Sequence, residues 1–134
     1  MQIIFKGDTI ECLLDQKSQI IEISYFGNLT KSEDFREAAN KSGSFAISNS
    51  ITLWLLDQHN MNVHPKDLRW FYQEWQPNFD KAMPKSRKVA IIPAKNLFSE
   101  FYIKQQNQKL EGIGNFSIKY FSSKEEARKW LLSL

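Results

Sequence analysis

The sequence predicts an α/β fold: one domain spanning residues 1–134, with a mixed, largely parallel five-stranded sheet and about four helices. Three observations carry this expectation. "ITLWLLD" (51–57) and "VAIIP" (89–93) are short unbroken apolar runs, as inner strands covered on both faces require. "QIIEISYFG" (19–27) and "NFSIKYF" (115–121) alternate instead, which suits half-buried strands. Between these runs lie amphipathic stretches with helix start signals, and alternating strands and helices build a largely parallel sheet.

Element by element, "IIFKGDTIECLLD" opens the chain as a strand broken near Gly7, paired with the next strand through the polar turn "DQKSQ". In that second strand Ile21, Ile23 and Tyr25 share a face. In "TKSEDFREAANKSGSF", Thr30 and Glu33 have capping-box spacing, Phe35, Ala38, Ala39 and Ser42 follow the helical period, and Gly43 is the expected stop. After "ITLWLLD", Pro65 suits a first helical turn. Leu68, Phe71, Tyr72 and Trp75 then form an apolar stripe, and Pro77 ends or kinks the helix. "NLFSEFYIKQQNQKLEG" is expected to start at Asn96, bury Phe98, Phe101 and Tyr102, and close at Gly112. Phe116, Ile118 and Tyr120 point inward from the last strand. Ser123 and Glu126 repeat the capping box, with Ala127, Trp130, Leu131 and Leu134 on one face of the closing helix. The fold rests on Leu55 and Ile91 lying in neighbouring inner strands of one sheet.

Composition limits the function classes. With 134 residues, 42% of them hydrophobic, the chain buries one substantial core and not two. A net charge of +3 with mixed signs gives no argument for nucleic acid. The densest basic run, Lys81, Lys85, Arg87 and Lys88, reads as a solvated loop. The single cysteine, Cys12, excludes an intrachain disulfide and reads as a buried inert thiol. "MQIIFKGDTIEC" has no signal-peptide pattern and no segment reaches eighteen apolar residues, so a soluble cytoplasmic protein without a membrane span is expected.

The order of elements, together with "LLDQHNM", "WFYQEWQP", "KVAIIPAKNLFSEF" and "SSKEEARKWL", resembles the SpoIIAA-like (STAS) superfamily over nearly the whole chain. Within it the chain looks like a small bacterial subgroup of stand-alone STAS-like proteins. That resemblance implies the sheet topology and a role in protein–protein regulation, or in ligand binding without catalysis, as in the lipid-binding CRAL-TRIO relatives. Antagonists of this superfamily carry an Asp-Ser-x-Gly-like motif whose serine is phosphorylated at a helix start, where free N–H groups and the helix dipole stabilise phosphate. The corresponding stretch here, "NVHPKDL", has no serine or threonine, so that switch is not expected.

Three sites are candidates. The chain's only histidines, His59 and His64, fall beside Asp57 in the loop after an inner strand, where open α/β sheets bind ligands. Their spacing fits no standard zinc pattern, and they are weak metal or acid–base candidates. In the same loop Asn60 and Asn62 suit turns and capping, His64 suits a helix cap, and Met61 and Val63 suit core. Trp70, outside the apolar stripe and next to Glu74 at i+4, is a candidate interface anchor together with Asn60 and His64. Phe79, Met83, Phe98, Phe101 and Tyr102 are candidates for lining an apolar ligand pocket. No glycine-rich phosphate loop, nucleophile elbow or paired-carboxylate motif occurs. The reading is a non-enzymatic interaction module without a cofactor, its partner a protein or a second copy of the chain. The alternative is a carrier or sensor of a small apolar ligand.

Overall fold

A computed structural model describes residues 1–111 and 115–133. Six strands form one sheet in the order β1 (Gln2–Lys6), β2 (Ile10–Asp15), β3 (Ile20–Tyr25), β4 (Leu53–Asp57), β5 (Arg87–Ile92), β6 (Phe116–Tyr120). The first two pairings are antiparallel and the remaining three parallel. The sheet is therefore mixed, with one strand more than expected. The extra strand arises at Gly7, where the opening segment turns back on itself and forms a second hairpin. Gly7 is required there, because a Cβ would lie 2.4 Å from Asp34 Oδ1. That carboxylate is buried because it accepts from the Thr9 N–H and hydroxyl, at 2.8 and 2.7 Å.

Strands β4 and β5 are neighbours, with Leu55 beside Ala90 and Leu56 beside Ile91. Their alternation divides the core in two. One face packs Ile21, Ile23, Trp54, Leu56 and Val89 under α1 (Ser32–Asn49), the helices of the β4–β5 connection, and α4 (Leu97–Glu111). The opposite face packs Ile20, Leu55 and Ala90 under α5 (Lys124–Leu131), through Ala127 and Leu131. Buried Glu22 is also on that face. Its carboxylate takes Arg128 at 2.7 Å and Lys124 at 3.0 Å, while Arg128 also reaches Asp15 at 3.0 Å. The burial of Glu22 is tolerable because both of its oxygens are paired.

The helices correct the sequence reading in several places. The first begins at Ser32 with Lys31 as an N-cap whose side chain makes no capping bond and pairs instead with Asp8 at 2.5 Å. Thr30 is used elsewhere, its hydroxyl accepting from the Asn62 N–H at 3.2 Å. The helix runs through Gly43 and stops at Ser50, which adopts a left-handed conformation with φ 54°. Gly43 serves packing, since a Cβ there would lie 2.7 Å from Trp75 Cζ2. Between β4 and β5, α2 (Pro65–Trp70), a π-helical turn (Phe71–Trp75) and α3 (Gln76–Ala82) follow with right-handed helical dihedrals throughout. Pro77 lacks an N–H and would press on the carbonyl four residues earlier. The widened turn, with the Gln76 N–H reaching Phe71 O, accommodates it, so the helix continues past the proline.

On α4 the inward positions are Ser99, Ile103 and Asn107. Phe98 and Phe101 therefore point outward, contrary to expectation, and only Tyr102 is half-buried. Asn96 does start this helix, its Oδ1 accepting from the Ser99 N–H at 2.9 Å. Ser123 caps α5 through the Glu126 N–H at 3.3 Å. The expected stop at Gly112 and the inward Leu134 lie outside the described residues. Cys12 is fully buried, and burial, reinforced by the nearby Glu11 carboxylate, pushes its thiol up to about 12. No helix among the described residues is long and apolar enough to cross a membrane.

Candidate functional site

At the carboxyl ends of the parallel strands, asparagines tie together three of the four loops. Asn62 Nδ2 donates to the Asn28 carbonyl at 2.9 Å, linking the β4–α2 loop to the β3–α1 loop. Asn96 Nδ2 reaches Asn62 Oδ1 at 3.4 Å, adding the β5–α4 loop. Backbone bonds reinforce the joint, from Thr30 N to Asn62 O at 3.1 Å and from Lys95 N to His59 O at 3.1 Å. Met61 and Val63 are buried beneath it, as their apolar side chains predict.

The polar residues of this edge have structural employment. Asp57 turns to the α5 face, where Lys124 Nζ lies 3.7 Å from it, and its other oxygen accepts from the His59 N–H at 3.2 Å. His64 caps α2, its Nδ1 accepting from the Lys66 N–H at 3.0 Å. His59 and Asn60 are exposed. Among the described residues, no three His, Cys, Asp or Glu side chains are grouped to hold a metal. Asp67, buried at the start of α2, takes Ser32 Oγ at 2.8 Å and Arg36 Nε at 3.0 Å, locking α1 to α2.

Trp70 is covered, not free. Its ring meets Phe35 edge-on with centroids 6.4 Å apart, and the Arg36 guanidinium sits 4.7 Å above it. Trp70 lies outside the apolar stripe of its own helix, but α1 runs alongside and takes the ring. Glu74 remains exposed.

An exposed apolar surface lies on α4 instead, while Ile3, Phe26, Ile47 and Leu132 are exposed elsewhere. Leu97, Phe98 and Phe101 are 80%, 50% and 70% exposed, and their i, i+1, i+4 spacing puts them on one side of the first helical turns. Phe98 stacks on Tyr102 with centroids 5.9 Å apart, which holds its ring in place. Leu29, on the β3–α1 loop of the same edge, is also exposed. The surrounding charge is mixed: Lys95 is exposed, and Lys104 pairs with Glu100 at 2.9 Å.

Beneath the edge, between the sheet and the helices of its larger face, lies a cavity of about 120 Å³. Its walls include Ile23, Leu56, Leu68 and Ile103. Of the residues expected to line an apolar pocket, only Phe79 does so. Met83 is buried outside it, and Phe98 and Phe101 face away. One wall is polar: Tyr72 Oη donates to Asn107 Oδ1 at 3.1 Å, and Asn107 Nδ2 donates to Tyr120 Oη at 3.0 Å. Burial, with three neighbouring tyrosines adding to it, pushes the Tyr72 phenol far above its ordinary range, so it stays a donor.

The basic run also divides. Lys81 and Lys85 are exposed, but Arg87 is buried at 2% exposure. Its Nη2 reaches Asp80 at 2.5 Å and Nη1 donates to the Met83 carbonyl, while the guanidinium lies 4.1 Å from the Phe116 ring centre. Lys88 Nζ closes α5 by donating to the Ser133 and Trp130 carbonyls at 2.7 and 3.1 Å. Sequence reasoning missed Leu29 and Leu97 as surface residues and Gln76 and Arg87 as interior ones. The signal for α4 was present in Leu97–Phe98–x–x–Phe101, a pattern equally compatible with an outward face. Compared with protein-family models, curated proteins and solved structures, the chain matches none.

Proposed function

We propose that this chain is a non-enzymatic STAS-like module that works by docking a protein onto the first turns of α4. The observation that carries the reading is the exposure of Leu97, Phe98 and Phe101 on one side of a helix that opens at the carboxyl edge. Exposed large apolar groups side by side are costly in water and are typical of interface anchors. The stacked Phe98 loses little freedom on binding, which favours contact. The mixed charge around the patch favours a protein over an anionic membrane surface, which selects a basic rim.

The mixed sheet with successive parallel strand–helix units supports the STAS-like kinship. Catalysis is disfavoured because Asp57 and His64 are engaged in an ion pair and a helix cap. The test is affinity capture from the source cell with wild type, Phe101→Lys and Trp70→Ala, alongside light scattering of each purified protein. A discrete protein retained by wild type and Trp70→Ala but lost with Phe101→Lys is the expected result. Equal retention by all three, or a dimer that Phe101→Lys leaves intact, would count against the α4 surface.

A further inference from the structure

The cavity between the sheet and its larger helical layer has a feature that packing does not explain. Among the described residues, few buried side-chain polar atoms lack a hydrogen-bond partner, and two of them, Gln76 Nε2 and Arg87 Nε, belong to residues lining this cavity. Gln76 is only 6% exposed. Burying an amide or guanidinium N–H without an acceptor costs on the order of 1–3 kcal/mol, more for the charged group, so such groups are seldom left alone. Both are donors, and two donors cannot satisfy one another.

Independently of the docking surface on α4, we propose that this cavity is a binding site for a compact, neutral, mostly apolar molecule carrying one hydrogen-bond acceptor. The size follows from the volume. An apolar cavity of roughly 150 Å³ takes a benzene-sized guest, so about 120 Å³ admits a small ring and excludes a long acyl chain. The neutrality follows from charge. Arg87 already has its counter-ion in Asp80, and a carboxylate ligand would enter the core as an unmatched anion. The acceptor follows from the two N–H groups, and a carbonyl oxygen suits either. The apolar body meets Ile23, Leu56, Leu68 and Ile103.

Three probes of similar ring size separate these elements: cyclohexanone, cyclohexane and cyclohexanecarboxylate. Binding is read from the methyl NMR signals of Ile23, Leu56 and Leu68 in the intact chain. Cyclohexanone is expected to shift these signals saturably and to bind at least tenfold more tightly than either other probe. Gln76→Leu should weaken cyclohexanone about tenfold and change cyclohexane less than twofold. It removes a buried unpaired donor, so its thermal midpoint should equal or exceed that of wild type, and the wild-type probe series stands even without it. The proposal is overturned if no probe moves the cavity signals, or if cyclohexanone and cyclohexane bind alike. It is also overturned by a crystal structure grown with cyclohexanone in which water alone bridges the two N–H groups, or the Gln76 amide turns its oxygen to Arg87.

Discussion

Replacing Gly43 with alanine separates two opposed effects. Gly43 lies within α1, where alanine is favoured over glycine by about 1 kcal/mol. A Cβ at this position, however, would lie 2.7 Å from Trp75 Cζ2 and 3.3 Å from Phe79 Cδ1. The Trp75 ring is stacked between Phe71 and Phe79, each with centroids 4.9 Å away, so it cannot swing along its normal without breaking a stack. Overpacking a close-packed site costs about 1–3 kcal/mol, and a clamped ring puts this one near the upper end. Gly43→Ala should therefore lose about 2 kcal/mol net, a fall of roughly 6–8 °C in Tm for a chain of this size.

Equilibrium urea unfolding followed by tryptophan fluorescence and far-UV circular dichroism measures the loss. Ser44→Ala, on the exposed side of the same helix, should stay within about 0.5 kcal/mol of wild type. In a Trp75→Leu background the closer clash is gone and only the 3.3 Å approach to Phe79 remains, so Gly43→Ala should cost at least about 1 kcal/mol less than in wild type. A single Gly43→Ala variant as stable as wild type would refute the packing argument.

Removing the cation from the α5 face, by Arg128→Met, leaves buried Glu22 with Lys124 alone and should cost about 2 kcal/mol in urea unfolding. Asp67→Ala breaks the Ser32 and Arg36 contacts between α1 and α2 and should cost about 2–3 kcal/mol, with less loss in Asp67→Asn. Cys12 should resist thiol reagents until the protein unfolds, because its thiol is buried and raised from 9.0 to about 12. Such a group supports folding fully below pH 9. Its contribution then drains as the unfolded thiol ionises between pH 9 and about 12, by about 1.4 kcal/mol per pH unit. The raised Tyr25 and Tyr72 phenols add to this alkaline loss above their ordinary range. A stability curve flat between pH 9 and 11 would contradict the burial of these groups.

The strand pattern was legible where apolar character and period agreed. Leu53–Asp57 and Arg87–Ile92 stood out because both faces of an inner strand need apolar side chains. The Ser123 cap was legible because its hydroxyl satisfies a local donor, a relation confined to four residues. What escaped depends on neighbours distant in the chain. On α4 two of the three buried positions are polar, Ser99 and Asn107, so apolar weighting rotated the helix the wrong way and hid the exposed patch. Asn107 belongs inside because Tyr72 and Tyr120 flank it, thirty-five and thirteen residues away in sequence. Trp70 looked free because nothing in the sequence says that Phe35 and Arg36 of α1 will meet it. Arg87 looked solvated for the same reason, its partner Asp80 being brought to it by the helix preceding the strand. Gly43 looked like a stop because a glycine inside a helix has no local rationale.

The docking claim stands most exposed to photo-crosslinking in the source cell, with a photoreactive amino acid placed at position 101, at position 70, or at Glu125 on the far face. The account predicts a discrete adduct of fixed mass from position 101, none from Glu125, and at most a trace from position 70. An adduct from position 70 with none from position 101, or none from any of the three, would contradict it.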